Sequence, residues 1–312
     1  MTADLVVTGI GVVTEAALAP RGAGAKGWFD HRAELGRGYK YLPRASQYLL
    51  AATARALADT GSPLADVPEH HRAITVGTNN GMSELQGEFD RTVIDGDSTL
   101  LSPATVPYFS VNLVGSRVAM EHGLKGFSLG VHSPRVAGLE AVQHGVRALR
   151  AGRARWLLAG AAESPLDRSE PGAAGSEDGA VALVVERAEE VAARGGRVHG
   201  RVHVRSFLLP PPLADTPRGR EEAERLLADA VAALGLVRRR PGVWVVGGDD
   251  PVTRVVGDAL GEDATRVRAG AGCLEPAVRV AALLREAFAE QLVVGVAAQG
   301  NVSVAHVVPA AG

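Results

Sequence analysis

A single cysteine, Cys273, stands in a chain of 312 residues, beside several other groupings of residues that could do covalent or metal chemistry. A thiol attacks as its thiolate, so Cys273 would need a base or a helix N-terminus to lower its pKa. Behind the small residues Gly270-Ala271-Gly272 it fits an inert buried thiol at least as well. Gly126-Phe127-Ser128-Leu129-Gly130 matches Gly-x-Ser-x-Gly, the hydrolase elbow, which needs a strand before the serine and a helix immediately after it. Here Ser128 sits at the start of an apolar strand and the next helix begins several residues later, so no elbow is expected. His132 and Ser133 adjoin, but neighbouring strand residues point to opposite faces. Ser133-Pro134 reads instead as a helix N-cap with proline at the first helical position. His70-His71 with Glu69 and Asp66 offer metal-ligand types without a spacing that converges them, and a solvated loop is expected. Gly9-Ile10-Gly11 lacks the third glycine and the later acid of a dinucleotide site. Arg238-Arg239-Arg240 is a short basic run, solvated or facing an acidic surface.

The elements that must position these residues alternate strand and helix. Apolar, β-branched runs mark strands at residues 4–13, 73–77, 127–132, 156–161, 179–185, 243–246, 293–297 and 302–308, and alternation marks another at 200–208. Helical spacing marks 45–60, 83–91, 111–123, 133–152, 221–234 and 274–292, while Pro210-Pro211-Pro212 reads as a stiff surface loop. Such alternation argues for α/β layers around an extensive buried sheet. Two related halves are expected, residues 1–190 and 191–312, in one body. The composition is globular, 46% hydrophobic and 22% charged, and the net charge of −2 gives no basic field for nucleic acid. One cysteine excludes a disulfide framework and a zinc site of several thiolates. No export signal is read in the first twenty residues and no apolar run reaches the length of a membrane span, so a cytoplasmic setting is expected.

Several segments, taken in order, resemble the ketosynthase branch of the thiolase-like family. They are Val7-Thr8-Gly9-Ile10-Gly11-Val12-Val13-Thr14, Gly38-Tyr39-Lys40 with Arg44-Ala45-Ser46-Gln47-Tyr48, and Val111-Asn112 with Gly115-Ser116-Arg117-Val118-Ala119 before Gly123-Leu124-Lys125-Gly126. Ala137-Gly138-Leu139-Glu140-Ala141, Leu158-Ala159-Gly160-Ala161-Ala162-Glu163 and Asp178-Gly179-Ala180-Val181-Ala182-Leu183-Val184-Val185-Glu186 continue the series. The resemblance implies a five-layer α-β-α-β-α sandwich of two similar halves. It also implies a cysteine nucleophile at a helix N-terminus, where dipole and free N–H groups favour the thiolate, assisted by two histidines.

At each catalytic position this chain departs from the family. Counting back from Ala137-Gly138-Leu139 puts Arg135 at the nucleophile position, and arginine stays protonated. The first-histidine motif would follow the 243–246 strand, where Gly248 stands in Gly247-Gly248-Asp249-Asp250-Pro251. In the segment resembling the second-histidine motif, Arg268 replaces a lysine and Cys273 the histidine. These losses resemble the chain-length-factor subunits of type II polyketide synthases. The resemblance then implies an active ketosynthase subunit as heterodimer partner, an acyl carrier protein as second partner, no activity of the chain alone, and no cofactor or metal. In that family the length gate follows the strand matching 73–77. Here Met82, Leu85, Gln86 and Phe89 share a helix face there and would set the tunnel floor, though they also fit ordinary core positions. The loops at 164–177 and 209–220 are shorter than in the family. Two other readings stand beside this one: altered acyl transfer or hydrolysis through Cys273 or Ser133, and a structural homodimer. Neither product length nor starter unit is legible.

Overall fold

The computed structural model describes residues 4–18, 28–61, 64–236 and 241–310. Ten strands form among them: β1 (Leu5–Thr14), β2 (Arg72–Thr78), β3 (Ser128–His132), β4 (Trp156–Glu163), β5 (Gly179–Arg187), β6 (Gly200–Leu208), β7 (Gly242–Gly247), β8 (Thr265–Arg268), β9 (Gln291–Val296) and β10 (Asn301–Pro309). The helices are α1 (Glu15–Leu18), α2 (His31–Leu35), α3 (Arg44–Thr60), α4 (Ser83–Asp95), α5 (Ser116–His122), α6 (Ala137–Arg150), α7 (Ala188–Ala193), α8 (Pro211–Ala214), α9 (Pro217–Ala233), α10 (Pro251–Leu260) and α11 (Leu274–Glu286).

The strands hydrogen-bond in the order β3-β2-β4-β5-β1-β6-β10-β9-β7-β8. Read inward from either edge, this is one order met twice: third, second, fourth, fifth, first. The directions repeat as well. In the first run β3, β2 and β4 are parallel, while β4–β5 and β5–β1 are antiparallel. In the second, β8, β7 and β9 are parallel, while β9–β10 and β10–β6 are antiparallel. A single residue pair, Val7 with Gly200, joins the two runs.

Helices fill the space between and outside them. The face of α6 meets β2 and β4 on one side and β6 and β10 on the other, and α11 lies beside it against β4, β5, β9 and β10. On the outside, α3 covers β1, β4 and β5, and α9 and α10 cover strands of the second run. The layers are therefore helix, sheet, helix, sheet, helix. Burial on both faces explains why β4 and β5 read as continuous apolar runs rather than alternating ones. The central cluster joins Leu139, Val142 and Val146 of α6 to Val280 and Leu284 of α11 and to strands of both runs. Close approach needs missing side chains: a Cβ on Gly11 would overlap the Ala52 carbonyl of α3, and one on Gly138 would stand 2.8 Å from the Ala161 Cβ.

Four expectations are corrected. Ser133 does not cap a helix and Pro134 does not begin one: α6 starts at Ala137. The cause is Arg135, whose φ of 57° leaves the right-handed helical region. The stretch 111–123 is a 3-10 turn (Val111–Leu113) followed by the separate α5. Helix α11 ends at Glu286, so 291–292 belong to β9. Pro211 and Pro212 open the short α8 instead of a loop, since proline suits first-turn positions that need no N–H.

Candidate functional site

Two helix entrances face each other at the centre of the molecule. Each precedes the helix between the third and fourth strand of its run, α6 in the first and α11 in the second. At the entrance of α11, Glu163 and Glu177 gather the free N–H groups. Glu163 ends β4 and is fully buried. Its Oε1 accepts the N–H of Cys273 (2.9 Å) and of Asn79 (2.7 Å). Its Oε2 accepts the N–H of Asn80 (2.6 Å) and the Thr78 hydroxyl (3.2 Å). Burial pushes its pKa up to about 7, against the pull of these donors. Glu177 Oε2 accepts the N–H of Leu274 (2.5 Å) and Glu275 (3.3 Å), the first turn of α11, and burial pushes this carboxyl up as well.

Cys273 is the N-cap residue of α11 and is completely buried. Burial first, then the Glu163 charge and hydrogen bond, push its thiol well above the ordinary range. Its sulfur also takes the N–H of Gly138, in the first turn of α6, so it bridges the two entrances. A thiol held in this way stays protonated at neutral pH.

Arg135 lies just before α6. Its Nη1 donates to the Gly270 carbonyl (2.8 Å), and its Nε is buried with no hydrogen-bond partner. Burial pushes the guanidinium down from its ordinary value, opposed by the charges of Glu177 and Asp250. Gly248 follows β7 on the same side, where a Cβ would stand 3.9 Å from Arg135 Nη2. The fold thus brings Arg135, Gly248 and Cys273 together, although they are far apart in sequence. Arg268 is exposed at the end of β8. Asp250 caps α10 through the Thr253 N–H (2.9 Å), so the acids after β7 serve a helix start.

The other nucleophile arrangements are dispersed. Ser128 is the first residue of β3. Ser133 donates to the Glu140 carboxylate (2.5 Å), while the His132 ring meets the Asn79 carbonyl (2.9 Å). No group of three or more metal-ligand side chains occurs among the described residues. Arg238, Arg239 and Arg240 lie outside the described residues. No helix of the described residues is long and apolar enough to cross a membrane.

On the flank of the site, Met82 lies ahead of α4 rather than on its face, buried in the cluster that also holds Ala45, Tyr48 and Leu49. Leu85 and Phe89 are half-buried on α4, and Gln86 is exposed. A cleft of about 350 Å³ opens between Lys40, Tyr41 and Arg44 on one lip and Glu84, Leu85 and Glu88 on the other. The roles of Glu163 and Glu177 were missed by sequence reasoning. The available signal was an acid closing each of two segments that are otherwise small or apolar.

The double 3-2-4-5-1 sheet with two central helices is a thiolase-like α/β fold. Residues 34–190, half of the chain, match the family model described as beta-ketoacyl synthase, N-terminal domain. The chain belongs to the β-ketoacyl synthase family. It is 25% identical over 255 residues to 3-oxoacyl-[acyl-carrier-protein] synthase 2 of Vibrio cholerae, covering 70% of this chain and 61% of that one. It is 30% identical over 129 residues to the tetracenomycin polyketide synthase ketoacyl synthase alpha subunit of Streptomyces glaucescens, covering 39% of this chain and 30% of that protein. The chain thus spans about three-fifths of the length of the Vibrio relative, and less of the Streptomyces one. Among solved structures, the ishigamide ketosynthase/chain length factor superposes with a TM-score of 0.75 at 21% identity, over 99% of both chains. A type II polyketide synthase acyl-carrier protein in complex with its ketosynthase bound to the hexaketide gives 0.74 at 14% identity, over 99% of this chain and 100% of that one.

Proposed function

We propose that this chain is a non-catalytic, chain-length-factor-like subunit of a type II polyketide synthase. It pairs with an active ketosynthase, completes the tunnel that holds the growing acyl chain, and limits its length on a carrier protein. The observation that carries this reading is Arg135, assigned to the nucleophile position by the order of motifs: a permanently protonated, partly buried side chain held to the Gly270 carbonyl. The one thiol lies completely buried and protonated behind it, and Gly248 offers no imidazole. Decarboxylative condensation would then depend on the partner's cysteine.

A surface suited to a partner supports the pairing. Strand β3 is an outer edge of the sheet and is exposed on alternate residues, and an open edge seeks a strand. Ile94, Leu100, Phe109 and Met120, exposed in this chain, occur in the segment whose 3-10 turn packs beside β3. Large exposed apolar side chains suit an interaction surface where they gather into one patch.

Co-expression with a type II ketosynthase subunit and its carrier protein tests the reading. A one-to-one complex is expected, whose synthesis is abolished by replacing the partner's catalytic cysteine and retained at about the wild-type level in Cys273→Ala. Within that complex, Leu85→Ala and Phe89→Ala are expected to lengthen the product. Acyl transfer by the isolated chain, lost in Cys273→Ala or Ser133→Ala, would replace this reading with an enzyme of altered chemistry.

A further inference from the structure

Helix α4 carries Leu85, Gln86 and Phe89 of the proposed gate, with the buried Met82 just ahead of it, yet none of its own thirteen residues is buried. Leu85 alone packs, half-buried, on the interior from this helix, and the loop after β4 supplies a second anchor. At about 100° per residue, Ser83, Gly87 and Arg91 form one stripe, on the opposite side of the helix from Leu85 and Phe89. All three meet that loop. Arg91 Nη1 donates to Asp167 Oδ2 at 2.6 Å. Ser83 Oγ accepts the Asp167 N–H (3.1 Å) and donates to the Glu170 carboxylate. The second carboxylate oxygen, Oδ1, accepts the Ser169 hydroxyl (2.6 Å) and N–H (3.1 Å).

Between the two ends of this stripe the helix lies flush on the acid. A Cβ on Gly87 would stand 2.6 Å from the Asp167 carboxyl carbon, so only glycine lets the two approach. The Asp167 side chain is 6% exposed while Arg91 is 54% exposed, so the acid is seated and the cation closes over it. These hydrogen bonds pull the Asp167 carboxyl down to about 2, which keeps it ionised at any physiological pH.

We propose that Asp167, with Arg91, Gly87 and Ser83, is the positioning device of α4. It is a polar clamp on the back of the helix that sets how far Leu85 and Phe89 project on the other side. This assignment rests on the reading of α4 as the chain-length gate. A clamp of this kind differs from core packing in one physical respect. Its depth is set by a loop and one ion pair, so it can change without repacking the interior.

Hydrogen exchange of the full chain, alone and with its ketosynthase partner, tests the clamp directly. In Asp167→Ala the α4 amides are expected to exchange about tenfold faster, with α3 and α6 unchanged. Gly87→Ala, which pushes the helix off the acid, is expected to do the same. Asp167→Asn, which keeps the shape but loses the charge on Arg91, is expected to give a smaller increase. In the complex, Asp167→Ala is expected to broaden the distribution of product lengths while total product stays within about twofold, a pattern that general destabilisation would not give. Unchanged α4 exchange in both Asp167→Ala and Gly87→Ala overturns the clamp. Faster exchange with unchanged product lengths leaves the clamp standing and removes α4 as the gate.

Discussion

The entrances of α6 and α11 occupy equivalent places in the two runs of strands, and they are built in opposite ways. Ahead of α11, two buried carboxylates accept five backbone N–H groups and one hydroxyl between them and place negative charge at the positive end of a helix. Ahead of α6 stands a guanidinium, and a first-turn N–H finds only the Cys273 sulfur. Both entrances turn through a left-handed residue two positions before the helix. At α11 it is Gly272 with φ 151°; at α6 it is Arg135 with φ 57°. Among the described residues Arg135 is the only non-glycine with positive φ. One entrance is consolidated for stability, and the other keeps a strained backbone of the kind a displayed side chain requires. The lesson is that two equivalent entrances can share one turn while one buries its carboxylates in hydrogen bonds and the other displays an arginine.

The largest expected effect lies at the consolidated entrance. Each oxygen of Glu163 accepts at least two donors, so the amide of Glu163→Gln must turn N–H against N–H whichever way it is placed. A cost of about 3 kcal/mol is expected in urea unfolding. The cost is also expected to depend on pH. Burial raises this carboxyl from its ordinary 4.5 to about 7, so the folded chain binds the extra proton between those values. The associated stability is complete below about pH 4.5 and is lost as the pH rises through about 7. The difference between wild type and Glu163→Gln should therefore narrow from pH 5 to pH 8. A cost below about 1 kcal/mol at pH 5 would break the contrast between the entrances.

Next come the two turn residues, for which opposite signs are expected. In Gly272→Ala the new Cβ meets the Glu177 side chain at 2.7–3.1 Å and is strained by its φ, so a loss of about 2 kcal/mol is expected. Arg135→Gly removes a partly buried charge and a strained φ together, and a gain of about 1 kcal/mol is expected. Thermal and chemical denaturation read both. Equal signs would mean that the α6 entrance carries no strain.

Much of this fold was legible. The β-branched runs marked strands because sheets buried on both faces carry no polar alternation, whereas the strand order rests on pairings between distant segments and was not read. Misreadings occurred where a long-range contact overrode a local rule. Ser133-Pro134 is a sound helix start, but Arg135 reaches across to the Gly270 carbonyl and delays the helix to Ala137. Helix α10 was not read at all, although Asp250-Pro251 begins it and Val252, Val255 and Val256 face its core. At the site, the order of motifs brought out Arg135, Gly248 and Cys273. It could not bring out Glu163, whose bond to the Cys273 N–H spans 110 residues and exists only once both runs have folded.

The smallest expected effect is the coupling between the two entrances. Arg135 and Glu177 feel each other's charge without forming a close ion pair, and each keeps a buried polar atom, Nε and Oε1, with no hydrogen-bond partner. Opposite charges that share a poorly hydrated space attract even when a hydrogen bond is missing, and salt screens them less than an exposed pair. In a double-mutant cycle of Arg135→Gly and Glu177→Gln, a favourable coupling of about 0.5–1 kcal/mol is expected, and it should persist in 1 M salt. Glu177 would then serve both entrances: it caps α11 with one oxygen and holds the displaced guanidinium by charge. A coupling of zero would make the entrances energetically independent, and Arg135 would be held by the Gly270 carbonyl alone.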